Sequence, residues 1–100
     1  MIVEYLRYTV PAERADEFVS AYARASEPLL ASPHCTGFDL ARCVEDPTRF
    51  ILRIEWTSAE DHLEKFRGSE EFERFFSHVK PFVEEIDEMR HYEPLLEKKG

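Results

Sequence analysis

Several features that would define a function class are missing from this 100-residue sequence. It has no asparagine or glutamine, and its three glycines form no phosphate-binding or dinucleotide-binding loop. No serine lies in a Gly-x-Ser-x-Gly nucleophile elbow. Acidic residues outnumber basic ones by 21 to 13, for a net charge of −8, and a surface of that sign repels phosphate backbones. We therefore expect no nucleic-acid partner.

Cysteine is also scarce. Cys35 and Cys43 fall in one predicted strand, where eight extended residues separate them by roughly 26 Å. A disulfide needs Cα atoms within about 7 Å, so we expect two reduced thiols. The chain begins directly with a strand-like segment and contains no long apolar run, so we expect neither a signal peptide nor a membrane span. Together these features predict a cytoplasmic protein.

The four histidines show no metal-ligand spacing, because neither a His-Glu-x-x-His nor a His-x₃-His pattern occurs. No Cys-x-x-Cys pair is present either. We expect that the protein requires no metal and no other cofactor.

Hydrophobic periodicity predicts the element order βαββαβ. Pro11 suits the first turn of a helix, Pro28 is expected to end or kink that helix, and Asp46-Pro47 is typical of a hairpin turn. The predicted elements are a strand (Ile2–Val10), a helix (Pro11 to about Glu27), two hairpin strands (Cys35–Glu45 and Thr48–Trp56), two helices on either side of Gly68, and a last strand (Met89–Leu95).

Both helices of the second half carry start signals. Ser58 and Asp61 have the spacing of a capping box, Gly68 stands where a C-terminal cap is expected, and Ser69 is the predicted N-cap of the next helix. Pro81 is expected to interrupt that helix. Its predicted inner face consists of Phe72, Phe75, Phe76 and Val79.

Right-handed crossovers turn this order into an α+β, ferredoxin-like fold with an antiparallel sheet and helices on one face. Residues 1–95 form one predicted domain, and residues 96–100 a flexible tail. Both faces of the strands carry apolar or aromatic side chains, yet the helices can cover only one. We therefore expect a homodimer in which two sheets pack face to face.

The segment Phe50–Val79 carries a family resemblance. It contains a strand that ends in Trp56, a helix with a Ser-x-x-Asp cap, and a second helix with Phe75, Phe76 and His78. This combination resembles the antibiotic biosynthesis monooxygenase family of dimeric α+β barrels, and the resemblance spans about Ile2 to Pro94. It implies a dimer, a ligand pocket lined by Trp56, and oxygenation of an aromatic or quinol-type compound.

The candidate site residues surround an aromatic pocket. Trp56, Phe66, Phe72 and Phe76 are the predicted substrate-binding surface, although Trp56 is equally explained as a core residue. His62 or His78 is the candidate base, because an unperturbed histidine titrates near neutrality; each is otherwise a solvated side chain at the edge of an apolar stripe. Tyr5, Arg53 or Arg42 is the candidate donor to a developing oxyanion.

The chain departs from its haem-degrading relatives at several positions. Those relatives use an asparagine in the first strand, a tryptophan and an axial histidine, and the last two positions correspond here to Phe66 and Phe76. An asparagine of the polyketide oxygenases corresponds to Leu52. The resemblance therefore implies a cofactor-independent monooxygenase of a small aromatic, polyketide or quinol-type compound. Two alternatives stay open: a non-catalytic binder of small hydrophobic aromatics, and a purely structural dimer module.

Overall fold

The computed structural model describes residues 1–97, and the sheet within them has the order β2-β3-β1-β4 with every neighbouring pair antiparallel. The predicted α+β, ferredoxin-like fold is confirmed. The strands are β1 (Ile2–Thr9), β2 (Cys35–Arg42), β3 (Arg49–Trp56) and β4 (Ile86–Tyr92); the helices are α1 (Ala15–Ala31) and α2 (Glu70–Val79), with a π-helical segment (Asp61–Phe66) and 3₁₀ turns at Ala12–Arg14 and Lys80–Glu85.

The hydrophobic core lies between one face of the sheet and the helices. At its centre Phe18 packs against Tyr8 and Phe50, each with ring centroids 4.8 Å away, and against Phe82 at 5.2 Å. Burying one such side chain contributes about 1.5–3 kcal/mol to folding. The apolar stripe of α1 and alternate positions of β1 and β3 therefore hold the two layers together.

The first helix does not end near Glu27, so that predicted boundary is wrong. Helix α1 continues through Pro28 to Ala31. The Pro28 ring is fully buried, and its missing N–H would have bonded the carbonyl of Arg24, which is an exposed residue that water can reach. Burial of the ring in the core outweighs the loss of one solvent-accessible hydrogen bond.

Several strand boundaries also differ from the prediction, chiefly those of β2 and β4. Strand β2 ends at Arg42 rather than Glu45, and Val44 is 89% exposed in the following loop. Strand β4 begins at Ile86, three residues before the predicted Met89, because its pairing with β1 starts at Tyr8↔Ile86. Sheet pairing, not the local apolar pattern, sets these ends.

The predicted N-caps are present, but the predicted glycine cap is not. Ser58 Oγ accepts a hydrogen bond from the Asp61 backbone N–H at 2.9 Å, and Ser69 Oγ from that of Phe72 at 3.2 Å. Gly68 has no positive φ, so it does not form a left-handed C-cap. A Cβ at Gly68 would lie 3.2 Å from the Glu64 carbonyl oxygen, so close backbone approach is what favours glycine there.

The other face of the sheet carries no helix within residues 1–97 and is amphipathic. Arg53 bonds Glu55 at 2.7 Å, and the rings of Tyr5 and Tyr92 pack edge to face at 5.3 Å. Leu96, the first residue of the predicted tail, is almost fully exposed, and residues 98–100 of that tail lie outside the described residues. Within the described part of the chain, no helix is long and apolar enough to cross a bilayer.

A candidate active site between the sheet and the helices

A cavity of about 300 Å³ lies between the inner face of the sheet and the helical layer. Its volume is at the lower end of the range for small-molecule sites, which fits one small aromatic molecule. Five of the residues predicted for the site line it, and they are Trp56, His62, Phe66, Phe72 and Phe76. The remaining wall comes mainly from apolar side chains of β1, β3, α2 and the segment that follows α2.

Trp56 is both a core residue and a cavity wall. It is the last residue of β3, its side chain is fully buried, and its ring packs 4.7 Å from the ring of Phe66. It also stacks on the His62 imidazole, with centroids 4.3 Å apart and planes 13° from parallel. The two explanations that the sequence allowed for Trp56 therefore hold together.

The π-helical segment positions His62 and Phe66 on the inner side. Its backbone is widened by an i→i+5 hydrogen bond from the Arg67 N–H to the His62 carbonyl, at 3.3 Å. Such turns are rare and occur often at functional sites. Both His62 and Phe66 are buried, whereas Leu63, which follows His62 in the chain, is 46% exposed.

A buried glutamate forms the polar end of the cavity. Glu4 lies on β1 among apolar residues and is 2% exposed. It accepts a hydrogen bond from Trp56 Nε1 at 3.1 Å, and its Oε1 lies 3.5 Å from His62 Nε2. Burial is the main reason that the pKa of Glu4 rises from 4.5 to about 7, against the smaller opposing effects of the Trp56 hydrogen bond and the Arg67 charge.

A second histidine, His91, contacts His62 and lies nearer the surface. The Nδ1 atom of His62 lies 2.6 Å from Nε2 of His91, which is half-buried on β4 directly opposite Glu4 in the sheet register. Desolvation, followed by the charges of His91 and Arg67, lowers the pKa of His62 to about 3. Desolvation also lowers the pKa of His91. Although Glu4 and His62 lie at ion-pair distance, burial favours the uncharged form of each.

Arg67 is the cation that lines this cavity. It is an exposed residue that follows the π-helical segment, and its charge acts on Glu4, His62 and His91. A cation at the mouth of an apolar cavity favours an anionic ligand over its neutral parent. Arg67 could therefore stabilise a deprotonated hydroxyaromatic.

Two tyrosine hydroxyls meet at the opposite end of the lining. Tyr8 of β1 and Tyr22 of α1 form a short hydrogen bond between their hydroxyl groups. Desolvation raises the pKa of Tyr8 to about 12 and also raises that of Tyr22. Both hydroxyls therefore stay protonated at neutral pH and act as neutral hydrogen-bonding groups.

Three residues of the polar end are also potential metal ligands. One donor atom each from Glu4, His62 and His91 lie within 4.8 Å of one another. However, His62 turns Nε2 towards Glu4 and Nδ1 towards His91, and these two nitrogens point away from each other on the ring. Such a histidine bridges its neighbours, whereas metal ligands converge on one point.

The other predicted site residues do not reach this cavity. His78 lies on α2 outside the lining, half-buried. Tyr5 and Arg53 pair with each other across β1 and β3 on the outer face of the sheet, because alternate strand residues point to opposite sides. Arg42 packs over the ring of Phe50 at 4.9 Å, away from the cavity.

Sequence reasoning missed Glu4, Arg67 and His91 as site residues. One signal for Glu4 was present: it interrupts the inward positions of β1 between Ile2 and Leu6, where an apolar residue is expected. A charged residue at an inward strand position is uncommon unless it is paired. Nothing local indicated Arg67.

A larger cleft of about 560 Å³ lies elsewhere, at the end of the sheet near Arg7, Arg42 and Arg49. These three arginines are exposed residues. The smaller cavity is the better candidate site because its walls are mainly apolar and it contains the buried polar groups of Glu4 and His62, as is typical of small-molecule sites.

Comparison with known proteins agrees with this architecture. The crystal structure of a Bordetella bronchiseptica protein assigned to the antibiotic biosynthesis monooxygenases superimposes with a TM-score of 0.77, at 26% identity, covering 95% of this chain and 97% of that one. SnoaB from Streptomyces nogalater, a cofactor-independent oxygenase solved as a point mutant, superimposes with a TM-score of 0.79 over 96% and 94% of the two chains, and its 18% identity shows the fold alone.

Curated relatives give the same result at the level of sequence. YczJ, an uncharacterised protein of Bacillus subtilis, is 27% identical over 77 residues, which are 77% of this chain and 81% of YczJ. SchA of Streptomyces halstedii is 31% identical over 75 residues, which are 75% of this chain but only 20% of SchA. The profile of the antibiotic biosynthesis monooxygenase family matches residues 1–77. The chain belongs to the antibiotic biosynthesis monooxygenase family.

Proposed function

We propose that this protein is a cofactor-independent monooxygenase of a small hydroxyaromatic or quinol-type compound. The observation that carries the proposal is a titratable pair, Glu4 and His62, at one end of an otherwise apolar, aromatic-lined cavity. The SnoaB likeness in fold supports the same class of reaction. For this chemistry a protein must supply a base, a dry pocket, and a positive group near the developing negative charge.

In the proposed reaction the substrate supplies the electrons. The base removes a proton from an activated C–H or O–H group, and the resulting electron-rich anion transfers electrons to dioxygen. For an anthrone-type substrate the methylene carbon becomes a carbonyl, one oxygen atom enters the product, and the other leaves as water. Glu4 and His62 provide the base, Trp56 and Phe66 the aromatic walls, and Arg67 the cation near the anion.

The second candidate function is non-catalytic binding of small hydrophobic aromatic molecules. The observation in its favour is the dominance of apolar side chains in the lining, including Phe66, Phe72 and Phe76. Binding without turnover needs only these walls. The two candidates differ in whether the polar end of the cavity takes part.

Oxygen consumption separates the two candidates. Wild-type protein, His62→Ala and His78→Ala are incubated with anthrone and with hydroquinone in an oxygen-electrode cell, and anthrone binding is followed by quenching of Trp56, the single tryptophan. We expect His62→Ala to lose at least about 100-fold in rate, because loss of a general base costs ~10²–10⁴. His78→Ala serves as the matched control, since His78 lies outside the cavity.

Binding of anthrone without oxygen uptake by the wild type would support the binder and refute the oxygenase. Equal loss of rate in both histidine variants would contradict the assignment of this cavity.

We also propose that the protein forms a homodimer through the outer face of the sheet. The amphipathic character of that face and membership of the family support this assembly. Light scattering after size exclusion should give twice the chain mass of 11.8 kDa, whereas a monomer at micromolar concentration would refute the dimer. The free thiols Cys35 and Cys43 support a reducing, cytoplasmic location.

A further inference from the structure

We infer that Glu4 is the group that takes the substrate proton, and that His62 and His91 carry this proton from the cavity to the surface. The inference rests on the proposed function, because it assigns roles within the same cavity. It changes the role of His62 from primary base to the middle of a relay. The contacts among Glu4, His62 and His91 support this inference.

The three side chains form a compact cluster in which His62 contacts both of the others. Glu4 is at the inner end, 2% exposed, His62 is in the middle, 4% exposed, and His91 is at the outer end, half-buried. The Glu4 Oε1 to His62 Nε2 distance is 3.5 Å, and the His62 Nδ1 to His91 Nε2 distance is 2.6 Å. Each contact uses a different nitrogen of His62, which is the arrangement that a ring needs to accept a proton on one side and release one on the other.

The outer end reaches the edge of the sheet. His91 belongs to β4, which is an edge strand, and it lies on the same face as Glu4, its partner in the register. No other strand lies beyond β4 among the described residues. A proton that leaves His91 therefore needs no further protein layer to reach water.

The proposed transfer balances in three steps. First, the substrate O–H or C–H bond breaks and an O–H bond forms on Glu4. Next, Glu4 donates this proton to Nε2 of His62 while the Nδ1–H of His62 passes to Nε2 of His91. Finally, His91 releases its Nδ1 proton to water, which leaves both rings as Nε2–H tautomers, and proton exchange with water returns them to the Nδ1–H form. No electron moves in these steps.

The electrostatic environment agrees with this order of roles. A carboxyl group with a pKa of about 7 is half ionised near neutral pH, which suits a general base, whereas a histidine with a pKa of about 3 is a weak one. Two kinds of neighbouring group interact electrostatically with these three side chains. The charge of Arg67 lowers the pKa values of Glu4, His62 and His91. The charge of Glu4 in turn raises the pKa values of Tyr8 and Tyr22. Because His62 is neutral at physiological pH, it can pass a proton on without holding it.

Anaerobic hydrogen exchange tests the relay without oxygen chemistry. Anthrone is incubated with the protein in D₂O under argon, at low buffer concentration, and deuterium uptake at its methylene carbon is followed by mass spectrometry. We expect the wild type to accelerate exchange over buffer, and Glu4→Gln to lose at least about 100-fold of that acceleration. Glu84→Gln, which changes an exposed glutamate, is the matched control and should exchange like the wild type.

The relay itself is tested at its outer end. His91→Ala should slow exchange by about 10-fold or more at low buffer, a smaller effect than the ~10²–10⁴ that follows loss of the general base itself. Added imidazole should restore the rate in a saturable way, because the half-buried site leaves room for a diffusible base. A merely structural role of His91 would give no rescue. Trp56 quenching verifies that the variants still bind anthrone.

Each contrary result has a distinct meaning. Full exchange by Glu4→Gln would overturn Glu4 as the base, and wild-type behaviour of His91→Ala at every buffer concentration would overturn the relay. Exchange that is lost in EDTA and restored by Zn²⁺ would show that Glu4, His62 and His91 act as metal ligands instead. No exchange by the wild type overturns the whole inference, whereas exchange without oxygen uptake leaves the relay standing and refutes the oxygenase.

Discussion

The substitution Glu4→Gln should make the protein more stable at alkaline pH, even though it removes a residue of the candidate active site. Glu4 is buried, and its pKa in the folded protein is about 7, against an ordinary value of 4.5. Between these two pH values the folded chain keeps a proton that the unfolded chain has released. The Glu4 contribution to stability is therefore fully present below pH 4.5 and is lost as the pH rises through 7.

The size of the effect follows from the two pKa values. Each pH unit of difference corresponds to about 1.4 kcal/mol, so ionised Glu4 costs the folded state about 3 kcal/mol well above pH 7. Glutamine keeps an oxygen that can accept the Trp56 Nε1 hydrogen bond but carries no charge. Relative to the wild type, Glu4→Gln should thus gain about 3 kcal/mol between pH 4 and pH 8.5.

The contribution of His62 to stability has the opposite pH dependence, and its effect should become measurable in Glu4→Gln. Its pKa falls from 6.5 to about 3 on folding, so its contribution is present above pH 6.5 and is lost as the pH falls towards 3. In the wild type the two slopes offset each other between pH 4.5 and 6.5. In Glu4→Gln the His62 slope is no longer offset, and His91, whose pKa is also lowered, adds a slope of the same sign, so stability should rise with pH over this interval.

Urea unfolding at 25 °C, followed by far-ultraviolet circular dichroism at half-unit pH steps, measures both effects. Glu84→Gln is the control, because that side chain is exposed and should give a constant difference from the wild type. A difference between Glu4→Gln and the wild type that stays constant from pH 4 to 8.5 would refute the reasoning, since it would mean that Glu4 titrates alike in the folded and unfolded chains.

Three further predictions concern the cavity walls and the outer sheet face. Trp56→Phe removes the hydrogen bond to Glu4, so it should cost about 1 kcal/mol more at pH 8 than at pH 5, where Glu4 is protonated in the folded protein, and weaken anthrone binding; an equal cost at both pH values in urea unfolding would contradict this. Tyr8→Phe and Tyr22→Phe should each cost about 1–3 kcal/mol because each leaves one buried hydroxyl without its partner. The double variant should cost less than the sum, and additive losses would argue against the paired hydroxyls. Arg53→Glu places a second acid beside Glu55 on the outer face and should shift the proposed dimer to monomer in light scattering, whereas an unchanged mass would place the interface elsewhere.

Local sequence patterns predicted the structure correctly where only a few neighbouring residues determine it. The Ser58 and Ser69 caps depend on a side chain and a backbone N–H three residues away, and both are present as predicted. The alternation of β3 placed Trp56 on the buried side for the same reason. The limits of β2 and β4 and the continuation of α1 past Pro28 were predicted wrongly, because sheet pairing and core burial act between distant parts of the chain.

Sequence alone determined the fold class, the family and the aromatic wall of the cavity, since periodicity and the order of elements are properties of neighbouring residues. Only the tertiary structure decided which titratable groups meet. Glu4, His62 and His91 are separated by 58 and 29 positions in the chain, yet β1, β4 and the π-helical segment bring them into one cluster. Burial then sets their protonation states, and burial is a property of the packed layers rather than of any local pattern.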